Sequence, residues 1–383
     1  MNILYTINSG TPGGAEQHIL DLVRGMVSLK NKVYVWCLPG EIAHWYSEAG
    51  AEVITDNRIR LDIDPSYISK LVKFLAKKKI AVIHGHELKA AANSLLAGFL
   101  AKTPVRISHV HTPISEWTIT STIKKVFLPL TVIGYSTEVN LIGTKEIALT
   151  QSRRKTKLHE GILSSKIEVI PNGLDLQRFD SFFESKGYLR EKTRSLYKIP
   201  PEAYVFGYLS RLTDEKGHIT LIKAFAEFMK GIGNEKVAYL MLAGGGYLEG
   251  RLKSEAESLG IGDRVVVTGV FEDDMKLGIY SCFDSFIHPS VAEGFGLVLI
   301  EAMYLGLPVV ASNIDVFKEV GDDVIAFFEV GDHQDLASKM LALYNREIVF
   351  VGSSKKRVEN MYSYDEFVKN YENLYSKLLG RSN

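Results

Sequence analysis

Two glutamates eight residues apart, Glu293 and Glu301, frame the stretch of this chain where chemistry is easiest to place. His288-Pro289-Ser290-Val291-Ala292-Glu293-Gly294-Phe295-Gly296 reads as a strand end and a glycine-broken loop. Leu297 to Met303 then reads as a helix that is apolar all round except for Glu301. A carboxylate in such a helix is costly unless a cation pairs with it or it accepts a ligand's hydroxyls. Eight residues overshoot two helical turns by about 80°, so the pair does not share one helix face. Glu293 is placed in the loop and Glu301 inside the helix. The alternative without chemistry has Glu301 capping buried backbone and Glu293 solvated.

Three strand-to-helix junctions offer further candidates. Ser9-Gly10-Thr11-Pro12-Gly13-Gly14-Ala15-Glu16 brings glycines to a helix N-terminus, where free amides and the positive end of the dipole can face a phosphate or sugar oxygen; a tight turn explains it equally simply. Tyr208 to Gly217 sets Arg211 and Lys216 beyond the carboxyl end of a strand, where open α/β sheets bind ligands. A planar guanidinium fork and a movable ammonium there suit a departing diphosphate, although either alone reads as surface charge. Ala243-Gly244-Gly245-Gly246-Tyr247 reads first as a structural turn opening a helix. None of these matches G-x-G-x-x-G, which weighs against a nicotinamide cofactor.

The elements that must position these residues alternate short β-branched runs with helical patterns. Ile3 to Ile7, Val33 to Leu38, Val82 to His84 and Val105 to Val110 read as buried parallel strands, and Ala15 to Lys30 as an amphipathic helix. The grammar restarts after Pro171-Asn172-Gly173 with strands Tyr204 to Leu209, Ala238 to Leu242, Val265 to Thr268, Ser285 to His288 and Val309 to Ala311. Asp180 to Lys198 is a helix-prone lead-in to the second sheet. Two doubly wound α/β domains are expected, at 1–172 and 173–363, with an amphipathic helix at about 364–383 packing back on the first.

A chain of 383 residues with 46% hydrophobic and 23% charged residues suits two globular domains rather than a disordered or fibrous class. Two cysteines, Cys37 and Cys282, imply neither a disulfide framework nor a cysteine metal cluster. With no signal-peptide pattern and no apolar run of about 18 residues, a cytoplasmic location is expected. Residues 1–180 hold 22 Lys and Arg against 16 Asp and Glu, and residues 181–383 hold 23 against 29. That asymmetry suggests an anionic surface or substrate on the basic half, or uneven solvated charge. No nucleic-acid partner is expected.

Together these stretches resemble the family 4 glycosyltransferases of GT-B fold, across nearly the whole chain. Pro12-Gly13-Gly14-Ala15-Glu16 is similar to the family's N-terminal glycine loop, and Pro171-Asn172-Gly173-Leu174-Asp175 to its interdomain segment. Arg211 with Lys216 resembles its diphosphate-binding pair, and Glu293 with Glu301 its E-x7-E signature. The resemblance implies two Rossmann-like domains facing across a cleft, the first binding the acceptor and the second the nucleotide sugar. It implies hexose transfer with retention of configuration and without a metal ion or other cofactor, and no Asp-x-Asp element stands at a strand end. By the same likeness Glu293 contacts the transferred hexose and Glu301 the ribose hydroxyls. The Gly296 and Leu297 amides, next to Phe295, bind the distal phosphate, while Arg211 and Lys216 neutralise the departing diphosphate. Gly13 and Gly14 close on the donor with His111, in Val110-His111-Thr112-Pro113, which matches a histidine directed at the donor sugar. His109 is placed on the opposite strand face. Glu16, His86 and Glu87 are candidates for the acceptor side.

Backbone around Gly269-Val270-Phe271 is expected to read the base, which leaves UDP, GDP and ADP sugars open. Lys70, Lys73 and Lys77 share a helix face, and Thr120 to Leu130 mixes Lys124-Lys125 with Ile123, Val126, Phe127 and Leu128. Both could meet an anionic bilayer on the cytoplasmic side, or be solvated faces. A GT-B epimerase or hydrolase, acting without an acceptor, and a non-catalytic nucleotide-sugar-binding protein are the rival readings.

Overall fold

The computed structural model describes residues 1–117, 122–233 and 237–380, and for 122–125 the backbone alone. The chain divides into two compact units, Met1–Gly173 with Tyr364–Asn383, and Leu174–Ser363.

In the first unit seven strands form one sheet: β1 (Asn2–Thr6), β2 (Lys32–Cys37), β3 (Glu52–Thr55), β4 (Val82–His86), β5 (Val105–His109), β6 (Lys145–Ala148) and β7 (Ile167–Val169). Their order is β3-β2-β1-β4-β5-β6-β7, with every pair parallel. Ile3, Leu4, Tyr5, Val33, Tyr34 and Val35 are all buried, as a parallel sheet covered on both faces requires. β4 runs two residues beyond the expected His84, because Gly85 and His86 stay paired with Ser108 and His109. One sheet face packs on helix Gly14–Ser28 and on helix Tyr364–Leu378, whose Phe367, Tyr371, Leu374 and Tyr375 join the same core as Ile3, Ile19 and Val35. Gly25 lies so close to Val368 that a Cβ there would overlap the valine methyls, so the two helices touch at backbone range.

The second unit repeats the design with β8 (Tyr204–Leu209), β9 (Ala238–Ala243), β10 (Val265–Val267), β11 (Ser285–His288), β12 (Val309–Ser312) and β13 (Ala326–Phe328). The order is β10-β9-β8-β11-β12-β13, again all parallel. In each sheet the order reverses at one place, between β1 and β4 and between β8 and β11. There the connections leave in opposite directions and the strand ends open a crevice for ligand.

Beneath the β5 end lies a buried ion pair between Lys157 and Glu146. Glu146 also accepts from the Ser108 hydroxyl, from Tyr135 Oη at 2.8 Å and from the Val110 amide at 3.3 Å. Lys157 donates to the Val110 carbonyl at 2.8 Å. Both sides of Val110 are thereby clamped one residue before His111. Lys157→Met would leave Glu146 as a buried charge without its cation. We expect a loss of about 3–5 kcal/mol in first-unit stability, measured by denaturant unfolding with probes in that unit.

Candidate active site

The β8 and β11 connections converge by close backbone packing. After β8 a short turn, Asp214–Lys216, ends at Gly217 with φ +70°, and helix His218–Ile232 follows. A side chain at Gly217 would collide with the Pro289 carbonyl in the β11 loop. The two loops are also joined by the Val291 amide donating to the Glu215 carbonyl at 2.9 Å. This seam brings Lys216 onto Glu293, 77 residues away in the chain, as an ion pair. Glu293 Oε1 further accepts from Ser290 Oγ at 3.2 Å and lies 3.4 Å from His288 Nε2. Ser290 in turn meets the buried Tyr208 hydroxyl at 2.9 Å. Burial by itself would raise the Glu293 carboxyl, but the Lys216 ammonium and His288 overcome it and hold it well below the usual carboxylate range. Arg211 is exposed and has no side-chain partner among the described residues, so its guanidinium is available to an anion.

Glu301 sits inside helix Leu297–Tyr304, buried as the apolar pattern demands. Its partners are Lys276 Nζ at 2.6 Å and Tyr280 Oη at 2.7 Å. An ion pair and a phenol, rather than backbone capping, therefore satisfy the carboxylate. Burial and the Glu301 charge push the Tyr280 phenol up, so it remains a donor. Lys276, Tyr280, His288, Ser290 and Tyr208 escape a reading of the sequence. The two partners of Glu301 lie 25 and 21 residues upstream, with no local spacing to announce them. Gly296, at φ +94°, turns the chain into that helix without a side-chain cap, leaving the first amides of Leu297 and Val298 free of capping side chains. Phe295 beside it is buried against Tyr362.

Gly244-Gly245-Gly246 is a structural turn. Cβ atoms at Gly244 and Gly246 would strike the Ser210 and Leu212 carbonyls, so these glycines let the β9 connection lie against the Arg211 loop. The following helix begins only at Glu249. Gly269, at φ +71°, bridges to Gly244, with Val270 fully outward and Phe271 half-buried.

In the first unit, Gly13 and Gly14 open helix Gly14–Ser28 with no side-chain cap, and Glu16 lies in its first turn. Beyond β4, Glu87 adopts φ +64°, a conformation costly for a residue with a Cβ and characteristic of ligand-handling loops. His86 Nδ1 lies 3.3 Å from His111 Nε2. The expectation that His109 points away from His111 is wrong: their rings stack at 3.8 Å with planes 17° apart. Residues two apart on an extended chain project to the same face. His18, His84, His86, His109 and His111 thus form one cluster, and burial, the largest cause for each, holds all five below the ordinary histidine range.

Asp64, in the Asp62-Ile63-Asp64 loop, caps helix Pro65–Lys78 by accepting from the Ser66 and Tyr67 amides. Of the lysines on that helix, Lys70 is tied to Asp56 at 2.8 Å, while Lys73 and Lys77 are exposed. Residues 118–121 and the side chains of Ile123, Lys124 and Lys125 lie outside the described residues. Downstream, helix Thr122–Ile142 exposes Val126, Phe127, Leu130 and Ile133, whereas Leu128 turns inward. Among the described residues no helix is long and apolar enough to cross a membrane.

Comparison with known proteins adds a family-level finding. The model of "Glycosyltransferase Family 4" matches residues 12–178, and that of "Glycosyl transferases group 1" matches residues 190–364. A phosphatidyl-myo-inositol mannosyltransferase of Mycobacterium leprae is 26% identical over 348 residues, covering 88% of this chain and 85% of that protein. The capsular polysaccharide biosynthesis glycosyltransferase CapM of Staphylococcus aureus is 25% identical over 378 residues, covering 95% of each. Among solved structures, Anabaena HepE in complex with UDP and glucose superposes with a TM-score of 0.83 at 20% identity, covering 98% of this chain and all of that one.

The depressed Glu293 carboxyl has a consequence for stability. Its ionised form stabilises the second unit above the unfolded value near 4.5, and that contribution is lost as pH falls through the lower folded value. Glu293→Gln is expected to flatten this acid-side decline. Melting temperatures of variant and parent compared between about pH 3 and pH 6 would check it.

Proposed function

This chain belongs to the family 4 glycosyltransferases of GT-B fold, and on that premise we propose that it moves a hexose from a UDP- or GDP-sugar to a glycan or lipid-linked acceptor, with retention of anomeric configuration and without a metal ion. The observation that carries this reading is the seam in the second unit. At the switch point of a doubly wound sheet, the Lys216–Glu293 ion pair joins the β8 and β11 connections, and the same β8 connection carries an exposed Arg211 with no side-chain partner among the described residues.

The chemistry follows from charge. Transfer breaks the bond between the anomeric carbon and a diphosphate oxygen, so negative charge grows on the diphosphate while positive charge grows on the sugar. Arg211 and Lys216 offset the first, assisted by the free amides at Gly296 and Leu297. Glu293, fixed as a carboxylate, accepts from the hexose hydroxyls and opposes the second. Glu301, oriented by Lys276 and Tyr280, keeps acceptor capacity for the ribose hydroxyls. His111, held by the clamped Val110, is the first unit's contribution toward the sugar, with Gly13 and Gly14 supplying amides. Glu16, His86 and Glu87 serve the acceptor, and the backbone at Gly269 and Phe271 the base. The mycobacterial phosphatidyl-myo-inositol mannosyltransferase and the staphylococcal capsular polysaccharide glycosyltransferase support envelope glycan or glycolipid as the acceptor class.

Val126, Phe127, Leu130 and Ile133, all exposed on one helix, together with Lys73 and Lys77, support peripheral contact of the first unit with an anionic membrane at its cytoplasmic face. Phe127→Glu with Leu130→Glu should abolish co-sedimentation with phosphatidylglycerol vesicles. Binding that ignores the anionic lipid content would count against the charge-assisted part.

Glu293→Ala should lower transfer by at least about 10²-fold while a thermal-shift panel of nucleotide sugars still reports binding. Full turnover by that variant would sink the assignment. An inverted product anomer, or equal donor consumption with and without acceptor, would replace it with an inverting transferase or with a hydrolase or epimerase. Loss of activity in EDTA that Mg2+ or Mn2+, but not Zn2+, restores would remove the metal-independent mechanism.

A further inference from the structure

We propose that His18, His86 and His109 form a binding site for one divalent transition-metal ion of the zinc class that fastens helix Gly14–Ser28 to the ends of β4 and β5 and that, when filled, takes His86 out of the acceptor role given to it above. His86 and His109 are register partners on adjacent strands, so their side chains leave the sheet side by side. His18 approaches them from the covering helix. The ring centroids are 5.4 Å apart for His18 and His86, 4.8 Å for His18 and His109, and 5.4 Å for His86 and His109. Three imidazoles on one tetrahedral ion, with metal–nitrogen bonds of about 2.0–2.1 Å, have centroids about 5 Å apart. The backbone thus already spaces the rings correctly. One nitrogen from each lies within 4.8 Å of the others, wider than the about 3.4 Å of bound ligands, so capture turns rings about χ2 without moving strands.

The hydrogen bonds leave the right lone pairs. His18 Nδ1 lies 2.6 Å from Asn172 Oδ1, an oxygen that only accepts, so Nδ1 carries the proton and Nε2 is the free base. An imidazole oriented by its other N–H on a protein oxygen is the usual state of a metal ligand. Tyr371 Oη, 3.5 Å from His18 Nε2, can turn away and stands near enough to shape the fourth position. His86 Nε2 and both nitrogens of His109 are buried without a partner among the described residues. A buried polar nitrogen left unpaired costs about 1–3 kcal/mol, and an ion would satisfy two of these three, one on each ring, with His18 Nε2 as its third ligand. An all-nitrogen neutral set suits zinc, copper, nickel or cobalt and is poor for the oxygen-seeking magnesium and calcium. Cys37 and Cys282, both free and buried, are not among the ligands.

The test uses the full chain, stripped with EDTA, desalted and titrated with Zn2+. One zinc retained per chain by elemental analysis, and a raised melting temperature as expected for a ligand that binds the folded state, are the expected results. Mg2+ should do neither. His109→Leu should retain no zinc while its circular dichroism stays native. Zinc retention by that variant equal to the parent, or the same thermal shift with Mg2+, would overturn the site. Should His109→Leu not fold, Co2+ added to the parent decides: tetrahedral d–d absorption supports the site, and the spectrum of the aquated ion alone overturns it.

Discussion

A parallel sheet must be covered on both faces, and most of this molecule follows from that requirement. The central strands are buried on two sides, every crossover must be a helix or loop returning over a face, and ligand-handling residues are left to the connections at the carboxyl ends. In the first unit the cover is completed by residues from the far end of the chain. Phe367, Tyr371 and Tyr375 pack into the same core as Tyr5 and His84, with Tyr375 Oη 2.8 Å from His84 Nδ1. The first 173 residues therefore do not contain their own complete core.

Three buried or half-buried carboxylates obey a second rule, that each has its own lysine. Glu146 has Lys157, Glu293 has Lys216 and Glu301 has Lys276. Each pair joins two different elements, 11, 77 and 25 residues apart in turn, and each costs desolvation that only good geometry and extra hydrogen bonds offset. Two of the three hold carboxylates near the strand ends where a donor's phosphates and hydroxyls are proposed to bind, and the third fixes the backbone before His111. The histidine cluster is the contrasting solution: five titratable rings kept neutral by burial, with nitrogens to spare. The β4 and β5 ends thus combine an ion pair in their support with buried, uncharged basicity in the histidines.

Much was legible from the chain alone because the signals were local. The limits of β8 and β11 follow from β-branched and aromatic runs bounded by turn residues, and the misfit of Glu301 in an apolar helix declares a need for a partner wherever that helix folds. The alternation of such strands with amphipathic helices determines the doubly wound class. Four strands were not legible: β3, β6, β7 and β13 span three or four residues each, too few for periodicity to speak. Three-dimensional packing alone decided which cation answers Glu301 and that Gly217 yields space to Pro289 so that Lys216 can reach Glu293. Each of those depends on contacts between segments tens of residues apart, and a sequence specifies the need for such a contact long before it reveals the residue that meets it.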